Sequence, residues 1–359
     1  MPTTIKEVAL HAGVSIATVS RVLNNVGPVD VRTRERVRSS ARELRYVPNA
    51  AGRSLSRRKT EAIGLLLPDL FGEFFSEVIR GSDQTAQLSN YHLVVSSSHN
   101  SKKEIHAALN MMRGRVDGVV IMSPHIDAET LKDNLPQSLP VVLLNCDIVS
   151  SDFDSLTIDN YNGAHAMTGH LLSHGHTRVA IIKGIERNRD ATERLHGYEE
   201  ALREHGIPLD DTLQAAGDFT ESAGYDAARR LLRLPHRPTA IFSSNDSMAI
   251  GALSALRDAG IQVPEEMALA GFDDVPMAPY LTPALTSVAV GIHNLGVRAI
   301  ETALHAVRHQ NAHHKQQIVL TTSLSLRESC GCTNPSSIQQ LHHASAEEVT
   351  TASDPTSKV

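Results

Sequence analysis

The 359-residue chain has no tryptophan, seven phenylalanines and three cysteines. Three cysteines, at positions 146, 330 and 332, build no disulfide framework and point to a reducing compartment. Cys330-Gly331-Cys332 has the wrong spacing for a C-x2-C zinc knuckle and no second pair exists, so these are read as thiols outside any ligand set. His170 and His174 stand four apart on an expected helix, followed by His176, but no carboxylate or cysteine completes a set. A helix end running into Gly175 accounts for them, and neither a metal nor a cofactor is expected. No apolar run approaches the roughly 20 residues that cross a bilayer. The first residues lack the apolar stretch of a signal peptide, so a cytoplasmic protein without membrane contact is expected. G-x-S-x-G, Walker and G-x-G-x-x-G motifs are all missing, which argues against an enzyme. Net positive charge is missing too: the formal total is −6, which alone argues against nucleic acid. The average hides an asymmetry. Residues 1–59 hold twelve Lys/Arg against four Asp/Glu, a balance of +8, so the remainder carries −14. A basic head on an acidic body confines attraction for phosphates to one end.

The chain opens with Thr4-Ile5-Lys6-Glu7-Val8-Ala9-Leu10-His11-Ala12-Gly13-Val14-Ser15-Ile16-Ala17-Thr18-Val19-Ser20-Arg21-Val22-Leu23-Asn24, which reads as two short helices around a glycine turn. Ile5, Val8, Ala9 and Ala12 share one helical stripe by their i, i+3, i+4, i+7 spacing. Gly13 suits the positive φ that ends the first helix, and Ser15 can cap the second. With Val19, Val22 and Leu23 turned inward, Ile16, Ala17, Ser20 and Arg21 share the outer face. A helix-turn-helix offers such a face to the major groove. There an arginine takes a guanine by two hydrogen bonds, and apolar side chains meet thymine methyls. A third helix is expected over Asp30–Leu44, with Val31, Val37, Ala41 and Leu44 inward. Pro48 breaks any continuous helix beyond this point, and the basic stretch Asn49–Lys59 is too short to fold alone.

On TIKEVALHAGVSIATVSRVLN and YVPNAAGRSL, residues 4–330 resemble the bacterial LacI/GalR family of transcriptional regulators. The resemblance implies a hinge helix over Asn49–Arg57 that forms on DNA, two hinges of a dimer entering the minor groove with Leu55 as the wedge. The candidate DNA-facing residues are Thr4, Ser15, Ile16, Ala17, Thr18, Ser20, Arg21, Asn24, Thr33, Tyr46, Asn49 and Leu55. Gly52 stands where the family usually has alanine, and glycine costs about 0.5–1 kcal/mol inside a helix. A hinge more dependent on DNA for its order is expected, with Gly52→Ala tightening operator binding.

From Ala62 onward apolar runs alternate with amphipathic stretches, the pattern of parallel α/β sheets. Expected strands are Ala62–Leu67, His92–Ser96, Gly118–Met122, Val141–Leu144, Arg178–Lys183, Ala240–Ser243 and Met267–Gly271. Expected helices are Phe74–Leu88, Lys103–Arg113, Tyr161–His174, Thr192–His205, Ser222–Leu232, Ser247–Ala259 and His293–His309. The length suggests two lobes, with a break near Asp159–Tyr161 and a return near Val290–His293; the resemblance implies a periplasmic-binding-protein-like body. No internal repeat stands out. The expected layout is a helix-turn-helix domain at 1–47, a hinge at 48–60, a two-lobed effector and dimerisation domain at 61–332, and a disordered tail at 333–359. That tail lacks a leucine-heptad helix, which points to a homodimer.

Ligands of open parallel sheets bind beyond the carboxyl ends of the strands. There the sequence places Asp69, Phe74 and Phe75, then Ser123, Asn145, Asn188, Arg189, Asp190 and Arg194, and finally Phe219, Asn245, Asp246, Asp273 and Asp274. Aromatic plates with planar hydrogen-bonding groups suit a polyhydroxylated ring. Phe75 reads as core, Asp69 is discounted as a ligand contact, and the second acid of each pair, Asp246 and Asp274, reads as the cap of the following helix. The resemblance sharpens the set: Arg194 matches the family's effector-contacting arginine, Asp273 its ligand carboxylate, and Phe74 and Phe219 its aromatic walls. Asn245 matches an asparagine common in sugar-binding members, and Asp190 falls in a ligand-contacting loop. With Ser123 and Asn145 these are the candidate effector residues. The expected function is a repressor of near-palindromic double-stranded operator DNA, switched by a small carbohydrate. A purine- or nucleoside-responsive regulator and a plain solute-binding protein are the alternatives.

Overall fold

A computed structural model describes residues 3–46, 59–124, 126–148, 151–186, 188–310 and 312–331. The expected hinge positions Asn49, Gly52 and Leu55, and the expected disordered tail, lie outside the described residues. The chain divides into two compact units, residues 1–60 and 61–359.

Among its described residues the first unit holds three helices, α1 (Ile5–Ala12), α2 (Ile16–Leu23) and α3 (Val31–Glu43). Thr4 starts α1 with a reciprocal capping box to Glu7, and Gly13 ends it at φ 62°. Ser15 caps α2 by accepting from Thr18 N–H at 3.1 Å, and Asp30 caps α3 by accepting from Thr33 N–H at 3.2 Å. Val8, Ala9, Ala12, Val19, Val22, Val37 and Ala41 form the core, with Ile5, Leu23, Leu44 and Tyr46 packed on it. One inward assignment fails: Val31 is 67 % exposed. It is the first residue of α3, directly after the N-cap Asp30.

In the second unit the elements run β1 (Ala62–Leu67), α4 (Glu73–Leu88), β2 (His92–Ser97), α5 (Lys102–Met112), β3 (Gly118–Met122), α6 (Ala128–Asn134), β4 (Val141–Leu144) and β5 (Asp154–Ile158). There follow α7 (Asn160–Ser173), β6 (Val179–Ile182), α8 (Arg189–Glu204), β7 (Gln214–Ala215), α9 (Glu221–Leu232), β8 (Ala240–Ser243), α10 (Asp246–Asp258), β9 (Ala268–Asp273) and β10 (Thr286–Ala289). The last of the described helices and strands are α11 (Ile292–Arg308), β11 (Gln317–Leu320) and β12 (Ser323–Ser325). The strands form two six-stranded sheets, ordered β2-β1-β3-β4-β5-β11 and β7-β6-β8-β9-β10-β12. All pairs are parallel except β10 with β12. The two lobes therefore repeat one strand order that the sequence does not betray.

The central strands are buried on both faces, which explains their unbroken apolar runs: Ile63, Leu65 and Leu67 of β1 enter one core while Ala62 and Leu66 enter another. Strands without such runs escaped the sequence reading: β5, β7, β10, β11 and β12. In β5 (DSLTI) buried and half-buried positions alternate, and in β11 (QIVL) exposed positions alternate with half-buried ones. Helix α6, Ala128–Asn134, escaped as well, because seven polar-rich residues give too short a period to register. The chain passes between sheets after β5 and after β10, near the expected positions, and a third time between β11 and β12. Where α4 and α11 pack together, Gly81 faces the carbonyl of His293, and a Cβ there would lie 2.1 Å from that oxygen.

Candidate functional site

In the first unit, Ile16, Ala17 and Arg21 are exposed and Ser20 is half-buried, so α2 presents the face read from the sequence. Around it the polar side chains are held. The hydroxyls of Ser15 and Thr18 lie 2.9 Å apart, and Asn24 Nδ2 donates to Ser20 Oγ at 3.2 Å. Thr4 bonds Glu7, and the backbone N–H of Thr33 is the one that Asp30 caps. Tyr46 lines an open groove of about 440 Å³ with Leu23, Arg38, Ala41, Arg42 and Arg45. Arg38 also donates to Asn25 Oδ1 at 3.0 Å, which fixes one arginine of this basic surface.

In the second unit four of the eight effector candidates meet in one buried polar chain. Asn145, just past β4 at φ 44°, accepts from Ile158 N–H at 3.0 Å and reaches Asp190 with Nδ2 at 3.4 Å. Asn160, the first residue of α7, links the rest: its Nδ2 donates to Asp190 Oδ1 at 2.9 Å, and its Oδ1 accepts from Arg194 Nε at 2.8 Å. Arg194 is 4 % exposed; it donates to the carbonyl of Ser244, lies 3.4 Å from Asp273 Oδ1, and stacks on Phe272 at 3.7 Å from the ring centre. The contact to Asp273 is an ion pair without an aligned hydrogen bond, so Asp273 Oδ1 remains buried without a donor. Asn160 was missed by the sequence reading. Its signal was positional, since it lies inside the lobe break inferred at Asp159–Tyr161.

One guanidinium serves two carboxylates here. Burial pushes the Asp190 carboxyl up to about 6 against the pull of Arg194. Burial likewise pushes Asp273 up to about 7, with Arg194 opposing and Asp190 adding repulsion. The Asn145–Asp190 contact joins the lobes, as do two bonds outside this chain: Arg189 donates to the carbonyl of Cys146 at 3.2 Å and Met277 N–H donates to Glu73 at 2.9 Å.

The other candidates stand apart from that network. Asn245 is the N-cap of α10, accepting from Met248 N–H at 3.0 Å, and its Nδ2 donates to the carbonyl of Phe219 at 3.1 Å. Both ends of its amide thus serve the fold. Phe219 is half-buried at φ 73°, and Phe74 is half-buried with its ring edge-on to Phe75 at 5.4 Å. Among the described residues, the buried hydroxyls of Ser123 and Ser244 have no hydrogen-bond partner.

Two assignments need correction. Asp246 does not cap α10, since Asn245 does; its buried carboxylate accepts from Ser287 Oγ at 2.6 Å and Val275 N–H at 2.9 Å, and so pins the end of β9. Asp274 caps no helix and pairs with Arg327 at 2.7 Å and Ser325 Oγ at 2.6 Å.

Residues 4–49 match the family described as bacterial regulatory proteins, lacI family, and residues 168–330 match a periplasmic binding protein-like domain. The chain is 34 % identical over 329 residues to the ribose operon repressor of Escherichia coli K12, covering 91 % of this chain and 99 % of that protein. It is 38 % identical over 302 residues to the HTH-type transcriptional regulator GalR of the same strain, covering 84 % and 88 %. The lac repressor dimer bound to operator and the anti-inducer ONPF superposes with a TM-score of 0.80 at 26 % identity, covering 92 % of this chain and 99 % of that one. The transcriptional regulator CelR–cellobiose complex superposes with a TM-score of 0.68 at 31 % identity, covering 91 % and 99 %. With helix-turn-helix, two-lobed body and near full-length likeness all in agreement, the chain belongs to the LacI family of bacterial transcriptional regulators.

Proposed function

We propose that the protein is a cytoplasmic homodimeric repressor that grips a near-palindromic operator and is switched by a small carbohydrate bound between the two lobes. The proposed layout is residues 1–47 for DNA reading, 48–60 as hinge, 61–332 for effector and dimer contacts, and 333–359 as tail. The observation that carries the effector reading is the unmet polar demand at the strand ends: Asp273 Oδ1, Ser123 Oγ and Ser244 Oγ are buried without hydrogen-bond partners. Each such atom costs about 1–3 kcal/mol when unpaired, so it calls for a ligand able to answer it. Vicinal hydroxyls both donate and accept, which suits a ligand facing carboxylate, serine and guanidinium groups. The solved relative holding cellobiose supports the class of ligand.

In this reading Ile16, Ala17 and Arg21 read bases, with Thr4, Ser15, Thr18, Ser20, Asn24, Thr33 and Tyr46 along the same DNA surface and Asn49 and Leu55 at the operator centre. Phe74, Ser123, Asn145, Asp190, Arg194, Phe219, Asn245 and Asp273 surround the sugar and bind it without catalysis. Ligand favours a closed arrangement of the lobes, the hinges separate, and operator affinity falls by the 1–3 kcal/mol typical of such coupling. The test is a fluorescence-anisotropy titration of upstream promoter DNA, with and without a panel of mono- and disaccharides. Promoter preference over random competitor, relieved by one sugar and insensitive to it in Arg194→Ala, is the expected result. Absence of any promoter preference overturns the proposal.

A further inference from the structure

The connection from α11 into β11 is fastened to the first sheet by a cluster of ionisable groups, at the opposite end of β5 from Ile158. Its centre is Asp154, the first residue of β5, which is fully buried. His313 Nε2 stands 2.9 Å from both carboxylate oxygens. Gln316 N–H donates to the same carboxylate at 2.9 Å, and Lys315 Nζ lies 3.3 Å away. The His313 side chain is itself 3 % exposed. On its other side, His313 Nδ1 lies 3.0 Å from Nδ1 of His305, an exposed residue in the last turn of α11.

These contacts fix where the protons are. A carboxylate only accepts, so His313 Nε2 carries a hydrogen. Two nitrogens 3.0 Å apart form a hydrogen bond only when one donates and the other accepts, so a single proton occupies the gap between His305 and His313. The pair can take up one further proton without losing that bond. A second breaks it, because both Nδ1 atoms would then carry hydrogens aimed at each other. His309 adds to the imbalance: its ring centre is 4.4 Å from that of His305, and its Nδ1 is 3.0 Å from the His305 carbonyl oxygen. In acid these three imidazoles, Lys315 and the exposed His314 face one buried carboxylate, while the carboxyl end of α11 supplies only about half a negative charge. The carboxylates along α4, which packs on α11, are engaged elsewhere: Glu77 with Arg80, Asp83 with Gln87 and Glu73 with Met277. On α11 itself Glu301 lies 3.9 Å from Arg298, and Arg308 acts on Tyr91. Strands β3 and β4, also against this helix, carry no titratable side chain.

We propose that Asp154, His313 and His305 form a proton-released latch, which holds the connection between α11 and β11 closed while the histidine pair keeps one proton in its gap and frees it when both rings become cations. The switch is a protonation alone, with no change of covalent bonding. Histidine is the side chain whose ordinary titration, near pH 6.5, falls in the physiological range. What the latch secures is the entry to β11, which pairs with β5 and then runs into β12 of the other sheet. Acid therefore loosens one of the three passages between the lobes at its root. The inference requires neither operator nor sugar.

The experiment is hydrogen exchange of the full-length chain read by mass spectrometry, at about pH 7.5 and about pH 5.5, with rates corrected for the intrinsic effect of pH. The reporters are the amide of Ala312, which donates to the His309 carbonyl at 2.8 Å, and that of Gln316, which donates to Asp154. In the wild type their protection should fall at least about tenfold at the lower pH, while that of β3 and β4 stays the same. His305→Gln can donate to or accept from His313 but takes no charge, so it should keep the connection protected at both pH values. His309→Gln leaves the pair intact and should still open in acid. Both positions are exposed, outside the buried core, and circular dichroism of each variant verifies folding. Unchanged protection of the wild type in acid overturns the proposal. So does an acid-induced loss that persists in His305→Gln, or one abolished as fully by His309→Gln.

Discussion

Asn160 serves Asp190 and Arg194 with opposite ends of one amide, its N–H donating to the carboxylate and its oxygen accepting from the guanidinium. Asn160→Ala leaves two charged groups short of a buried partner. On the proposed function, sugar affinity falls by about 1.5–3 kcal/mol, roughly tenfold to a hundredfold, measured by isothermal calorimetry. Operator affinity without sugar stays within about twofold; an equal loss of both would mean that the residue merely supports the fold. Asp273 gives a pH signature. Its carboxyl is held up to about 7, so the folded protein keeps a proton that the unfolded chain releases near pH 4. Stability from this group is therefore greatest in acid and declines as pH rises toward 7. Asp273→Asn, which mimics the protonated form, should match wild type below about pH 4 and melt increasingly higher than wild type as pH rises to 7.5. A melting difference that is constant across this range refutes the assignment.

At the scale of elements, the crossing of α4 and α11 depends on the missing side chain at Gly81. Gly81→Ala drives a methyl against the His293 carbonyl, and overpacking of this kind costs about 1–3 kcal/mol. A fall in melting temperature of several degrees is expected by calorimetry; no change would mean that the helices slide apart freely. Elements were legible in the sequence in proportion to how one-sided their surroundings are. The buried runs of β1, β3, β4 and β8 and the amphipathic helices announced themselves, because a doubly covered strand needs every residue apolar. The edge strand β11 alternates and carries Gln317, and β12 spans three residues, so neither offers a period long enough to read. The candidate site was half legible. Arg194 and Asp273 were found by where they follow their strands, whereas Asn160 follows a strand that was itself unseen. Asn245 caps α10 and bonds the Phe219 carbonyl, and in sequence an amide that caps a helix and one that binds a sugar are the same.

At the scale of the molecule, charge is segregated, with +8 on residues 1–59 and −14 on the rest. Operator binding by the proposed function then rests on phosphate contacts from one end only. Between about 50 and 200 mM salt, affinity should drop by about 10³–10⁵-fold, as for proteins with six to ten phosphate contacts. A flat salt profile in the same anisotropy assay removes the head from the binding surface. The two sheets of the body are joined by three passages, after β5, after β10 and between β11 and β12. A pair of plates joined by a single strip can twist, shear or flap. Three parallel strips leave only one cheap motion, a swing about the line through them. Any molecule that settles between the plates is thereby converted into rotation about a fixed axis, whatever its shape.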